Sequence, residues 1–149
     1  MKRKILNFAF SIVLLIAGMG FSYAQTDKPY TEGPLWQVQF VHIKPGMGDL
    51  YLKNLSDGWV KVMRAAEAAG LISDFKILTA QPSSENDWDL LLMYQLKNYA
   101  ALDGLKDKMD AIRKKTLNTN DDTEHTQAIS RNDLRVLQGG KLTQELDFK

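Results

Sequence analysis

Leu35-Trp36-Gln37-Val38-Gln39-Phe40-Val41-His42-Ile43-Lys44-Pro45-Gly46-Met47-Gly48 is the run whose reading decides the fold. Its side chains alternate in character, as a pleated strand over 35–44 requires. One face carries Trp36, Val38, Phe40 and His42; the other carries Gln37, Gln39, Val41 and Ile43. Pro45 through Gly48 then stops the strand, because Pro lacks an N–H and Gly tolerates turn dihedrals. Asp49 is placed to cap the helix that follows. In that helix Leu52, Leu55, Trp59, Val62, Met63, Ala66 and Ala69 recur at three- and four-residue steps and form one apolar stripe, with Gly70 as the C-terminal stop.

Upstream, residues 1–24 read as a secretory leader. Lys2, Arg3 and Lys4 form its positive start, 5–21 its apolar run, and Ser22-Tyr23-Ala24 a small-residue cleavage site before Gln25. The competing reading, a membrane anchor, needs a longer apolar run than this. Cleavage leaves 125 of the 149 residues, the size of one domain. Residues 25–33 read as a short disordered lead and 34–149 as the folded domain. The leader holds three of the 19 basic residues and no acidic one. The remainder therefore sets 16 basic side chains against 18 acidic ones, a balance of −2. Such a domain has no basic stripe for nucleic acid. No other segment is apolar enough to cross a membrane, so a periplasmic or secreted protein is expected. The chain has no Cys. That excludes disulfides, thiol catalysis, thiolate metal sites and a lipidated cysteine.

Downstream, 74–81 forms a second strand, with Phe75, Ile77 and Thr79 on one face. Residues 82–87 have loop composition. The third strand, 88–96, sets Trp88, Leu90, Leu92 and Tyr94 against Asp89, Leu91, Met93 and Gln95. A strand apolar on both faces belongs in the centre of a sheet. Asn98 caps a second helix over 99–117 with Leu102, Leu105, Met109 and Ile112 as its stripe. Residues 118–130 are polar, with a short helix after Asp121 or Asp122. A fourth strand spans 133–138, Gly139-Gly140 makes a tight turn, and 141–148 is a fifth strand or an arm.

The order strand, helix, strand, strand, helix, strand predicts an α+β fold. The expected form is a ferredoxin-like βαββαβ sandwich: a four-stranded antiparallel sheet with two helices on one face. Crossover handedness puts the first and third strands in the centre. The helix-free face carries Leu91 and Met93, and an apolar face of that kind calls for cover.

A strand ending in Ile43-Lys44-Pro45-Gly46, followed by a helix and strands of this spacing, resembles the dimeric α+β barrel superfamily. That group includes antibiotic-biosynthesis-monooxygenase-like, NIPSNAP-like and stress-responsive barrel proteins. The resemblance covers about 35–138. It implies a homodimer that joins two sheets into one barrel, and a small-molecule pocket between each sheet and its helices. It implies no shared reaction.

The helix-covered face is expected to gather Trp36, Phe40, His42, Trp59, Trp88 and Tyr94. These either form an aromatic-lined site for a small apolar or aromatic ligand or serve as ordinary core. His42 is the one weak candidate for a catalytic base; the plainer reading is a rim histidine bonded to backbone or water. His42 and Tyr94 are too far apart along antiparallel strands to exchange a proton. His125, in Asp121-Asp122-Thr123-Glu124-His125, has metal-ligand residue types but no second His at helical spacing, so no metal is expected. Gln37, Gln39, Asp89 and Gln95, on the other sheet face, are read as groups for a polar ligand or for hydrogen bonds across a dimer, with the dimer preferred. No phosphate loop, nucleophile elbow or zinc-protease motif occurs, and no cofactor is expected. The expected function is a small-molecule-binding or interaction domain. The alternative is a cofactor-independent oxygenase or cyclase acting on an aromatic or polyketide-like compound through His42.

Overall fold

The structure is a computed structural model and describes residues 28–149. The expected leader and residues 25–27 of the polar lead lie outside them. The elements are β1 (Tyr30–Ile43), α1 (Gly48–Leu55), a π-helical turn (Ser56–Val60), α2 (Lys61–Ala68), β2 (Asp74–Thr79), β3 (Leu90–Leu96), a 3-10 turn (Tyr99–Leu102), α3 (Leu105–Leu117), α4 (Asp121–Leu134) and β4 (Arg135–Phe148). All neighbouring strands are antiparallel, in the order β2-β3-β1-β4. Helical crossovers therefore join β1 to β2 with β3 between them, and β3 to β4 with β1 between them.

Register decides which face is which. Leu35 lies opposite Leu96 and Val41 opposite Leu90, and all four are fully buried. These residues pack under the helices in two clusters. One joins Leu35 and Leu96 to Val62, Met63, Ala66, Leu105 and Met109. The other joins Val41, Leu90 and Leu92 to Tyr51 and Leu55. Trp59, in the π-helical turn, packs against both.

The helix side of β1 is thus Leu35, Gln37, Gln39, Val41 and Ile43. The assignment made from alternation is reversed here: Trp36, Phe40 and His42 turn away from the helices, and Gln37 and Gln39 turn towards them. Both faces of β1 are apolar enough to pass for the core side. The register with β3, which alternation within one strand does not contain, breaks the tie.

The helix-free face is partly covered by its own side chains. Trp36 is buried; the Lys76 ammonium stands 4.7 Å from its ring centroid, and its indole N–H donates to the Glu145 carboxylate. Trp88, which lies before β3 and not within it, meets Phe40 edge-on at 5.5 Å between centroids. Leu91 and Met93 remain half-buried, and Leu78 and Val136 are exposed.

The first helical segment starts at an N-cap Met47 with no side-chain cap; Asp49 sits in the first turn, where its charge favours the helix dipole. Tyr51, not Leu52, faces the core, and Ala69 is exposed. Gly70, at φ +70°, closes the helix: its N–H donates to Glu67 O and that of Leu71 to Ala66 O, the Schellman pattern. Asn98 does cap, accepting from Ala101 N–H, but the segment breaks at Gly104 (φ +64°) before α3 begins. Asn120 caps α4 by accepting from Thr123 N–H, and the helix runs on to Leu134.

Beyond it Gly139-Gly140 is not a turn. β4 is continuous, and Gln138 and Gly139 together oppose Phe40, between the pairs Gln39–Gly140 and Val41–Leu137. This is a β-bulge, with Gly139 at φ +104° supplying the unusual backbone. A second irregularity lies at Gly33-Pro34, opposite Glu145. Pro34 has no N–H to give a ladder, and a bulge is where a strand tolerates it. β1 consequently starts at Tyr30 and includes part of the expected lead.

Candidate functional site

A cavity of about 1130 Å³ lies between the helix side of the sheet and the helices. Its floor is Gln37 and Gln39 of β1 with Leu92 and Tyr94 of β3. Trp59, Met63 and Met109 supply apolar walls, and Leu137 closes one edge. The volume is slightly larger than the usual range for small-molecule sites.

Local structure explains the opening. Two glutamines occupy the centre of β1 where an apolar pair would have filled the core. The π-helical turn widens the helix above them and carries Gly58 and Trp59 into the lining. Such turns recur at functional sites. The Gln39 amide is tied down, donating to the carbonyls of Phe40 and Gly139.

The polar end of the cavity is built from α3, α4 and β4. Arg113, Arg131 and Arg135 all line it, with Tyr51 from α1. Arg113 pairs with Asp110 at 2.7 Å and reaches Glu124 at 3.8 Å. Among the described residues Arg131 and Arg135 form no ion pair. The Arg135 guanidinium stands 5.6 Å from the centroid of the Tyr51 ring. Tyr51 is fully buried, and neither its hydroxyl nor Arg135 Nε has a hydrogen-bond partner. Burial pushes the Tyr51 phenol above its usual value, against the pull of the Arg135 charge and of its guanidinium, which approaches the hydroxyl without reaching normal hydrogen-bond geometry. Burial, and then the charges of Arg135 and Arg113, bring Arg131 below its ordinary value. His125 is exposed and stands at the cavity's edge. Among the described residues no group of three His, Cys, Asp or Glu is placed to hold a metal ion.

The six aromatic and histidine positions singled out in the sequence do not converge. Trp59 and Tyr94 line the cavity. Trp36, Phe40, His42 and Trp88 belong to the opposite side of the sheet or its rim. His42 Nδ1 lies 2.9 Å from the carbonyl oxygen of Asp87, so that nitrogen carries the proton and donates. It is also 3.5 Å from the Asp89 carboxylate, which accepts from Ile43 N–H. His42 therefore pins the end of β1 to the 82–89 loop and has no access to the cavity. Gln95 and Asp89 stay on the helix-free side, as read, whereas Gln37 and Gln39 do not.

Tyr51, Arg113, Arg131 and Arg135 are lining residues that sequence reasoning missed, whereas Gln37 and Gln39 are singled out in the sequence but assigned to the other face. Helical spacing does not relate Arg131 to Arg135, because the helix ends at Leu134 and Arg135 begins β4. No known protein family, curated protein or solved structure matches this chain.

Proposed function

We propose that this chain is an exported small-molecule-binding protein that holds a flat apolar or aromatic ligand between its sheet and its helices. The observation that carries the reading is the cavity, walled by Trp59, Tyr94, Leu92, Met63 and Met109. Concave, mainly apolar clefts with a few converging polar groups are where small molecules bind. The strand order and the single helix-covered face support a ferredoxin-like sandwich. The apolar residues left on the other face support pairing with a second copy into an α+β barrel.

An oxygenase or cyclase is the weaker reading. It needs a free base in the cavity, and the candidates there are engaged or peripheral: Glu124 is held by Thr119 and Arg113, Asp57 by Lys53 and Lys61, and His125 is exposed at the edge. His42, its only proposed base, faces elsewhere.

The test is a thermal-shift screen of the purified protein with aromatic compounds, flavins and haem. A ligand at a hundred times its Kd adds about 2.7 kcal/mol of stability. Trp59→Ala should abolish the shift. A shift that survives Trp59→Ala would place binding outside the cavity and overturn the reading. For export, intact mass of the secreted protein should begin at Gln25; a retained Met1 would refute it.

A further inference from the structure

We infer that the ligand is anionic: an aromatic body lies over Gln37, Gln39 and Trp59, and its acidic head is held by Arg131, Arg135 and the Tyr51 hydroxyl. This deepens, and rests on, the proposal that the cavity binds a small molecule.

The first argument is charge. Cations gathered at one end of a low-dielectric space repel one another and cost stability unless an anion joins them. Glu124 and Asp57 also line the cavity, but Glu124 is engaged by Thr119 and Arg113, and Asp57 by Lys53 and Lys61. No carboxylate pairs with Arg131 or Arg135 among the described residues.

The second argument is hydrogen bonding and does not depend on charge. A fully buried phenol hydroxyl without a partner is uncommon in a native fold. Here it lines the same cavity as a second orphan, Arg135 Nε. Both are donors, and they belong to side chains already in contact. Both atoms are closed to solvent in this conformation, so an acceptor reaches them only when the Arg135 side chain shifts, and there it satisfies both. Guanidinium forks match the oxygens of a carboxylate, sulfonate or phosphate, and such charge-assisted bonds are the strong ones. The apolar remainder of the lining fixes the other end of the molecule as hydrophobic.

The experiment uses two fluorescent probes with the same aromatic body. Anilinonaphthalene sulfonate carries an anionic head, and phenylnaphthylamine does not. The wild-type protein is expected to bind the sulfonate about tenfold more tightly than the neutral probe. Arg135→Met should remove that preference and leave the neutral probe's affinity within about twofold. Arg131→Gln, on the outer helix α4, is the second variant if Arg135→Met fails to fold by circular dichroism. It should reduce the preference in the same sense. Equal affinity for the two probes in the wild type, or a preference that survives both substitutions, overturns the anion clamp while leaving cavity binding in place. Failure of both probes to bind overturns the clamp and the cavity reading together.

Discussion

Tyr51 is the residue at which stability and binding are set against each other. Its ring fills the core beside Val41, Leu55 and Leu90, while its hydroxyl lacks a partner. Leaving a buried polar group unsatisfied costs about 1–3 kcal/mol. Tyr51→Phe should therefore raise the unfolding free energy of the ligand-free protein by roughly 1 kcal/mol in urea, and weaken sulfonate-probe binding. A fall in stability would mean that the hydroxyl is bonded. Asp87 acts at the same end of the sheet, in the loop before β3. The backbone N–H of Ser83 first, then its hydroxyl and the N–H of Trp88, hold the Asp87 carboxyl below the usual carboxylate range. The charged form is the one the fold favours. Its stabilisation is thus full above the unfolded value of about 3.9 and is lost as pH falls through the lower folded value. Between about pH 5 and pH 2 the wild-type urea midpoint should fall further than that of Asp87→Asn. Equal falls would remove Asp87 from the acid response.

At the level of elements, glycines mark where the chain departs from regular structure, and the two kinds of departure predict different penalties. A Cβ at Gly140 would lie 2.7 Å from the carbonyl oxygen of Val38, a backbone atom of the neighbouring strand. Gly140→Ala should cost about 1–3 kcal/mol by forcing β1 and β4 apart beside the bulge. At Gly70 an added methyl would have nothing within 4 Å, so Gly70→Ala meets only the φ +70° strain, roughly 1 kcal/mol. Urea unfolding of the two variants orders them; the reverse order would show that the bulge yields. The strands and the first two helical stretches were legible in alternation and in three-and-four spacing, and so were the Gly70 stop and the Asn98 cap. The faces of β1 were not. Leu35 and Val41 compete with Trp36, Val38 and Phe40, and only the pairing of Val41 with Leu90 settles which set lies under the helices. Gly139-Gly140 misled because a bulge and a hairpin turn need the same backbone freedom. The cavity was half legible: Trp59 and Tyr94 were found, but its cations come from α3, α4 and β4, which no local pattern brings together.

At the scale of the molecule, the helix-free face is where the proposed pairing of two copies is open to test. Val38 lies opposite Met93, and Met93 opposite Lys76, in the middle of that face. If two copies pair there, light scattering at micromolar concentration should return the mass of a dimer, and Met93→Asp should halve it by burying a charge in the contact. Within one protomer the new carboxylate has Lys76 beside it, so the separated copies should stay folded. A wild-type mass of one protomer would contradict the pairing.

β1 and β4 join opposite ends of the chain: Thr31 bonds to the Asp147 carbonyl across 116 positions, and Lys149 N–H donates to Pro29 O at 3.0 Å. The strand at the heart of the sheet thus waits for the last one before its ladder is complete. Loop-closure entropy makes such a topology slow to fold. A circular permutant that links residue 149 to residue 29 and opens the exposed 82–86 loop turns this longest-range pairing into a neighbouring hairpin. It is expected to refold faster than the parent in stopped-flow dilution from urea, with a similar native spectrum.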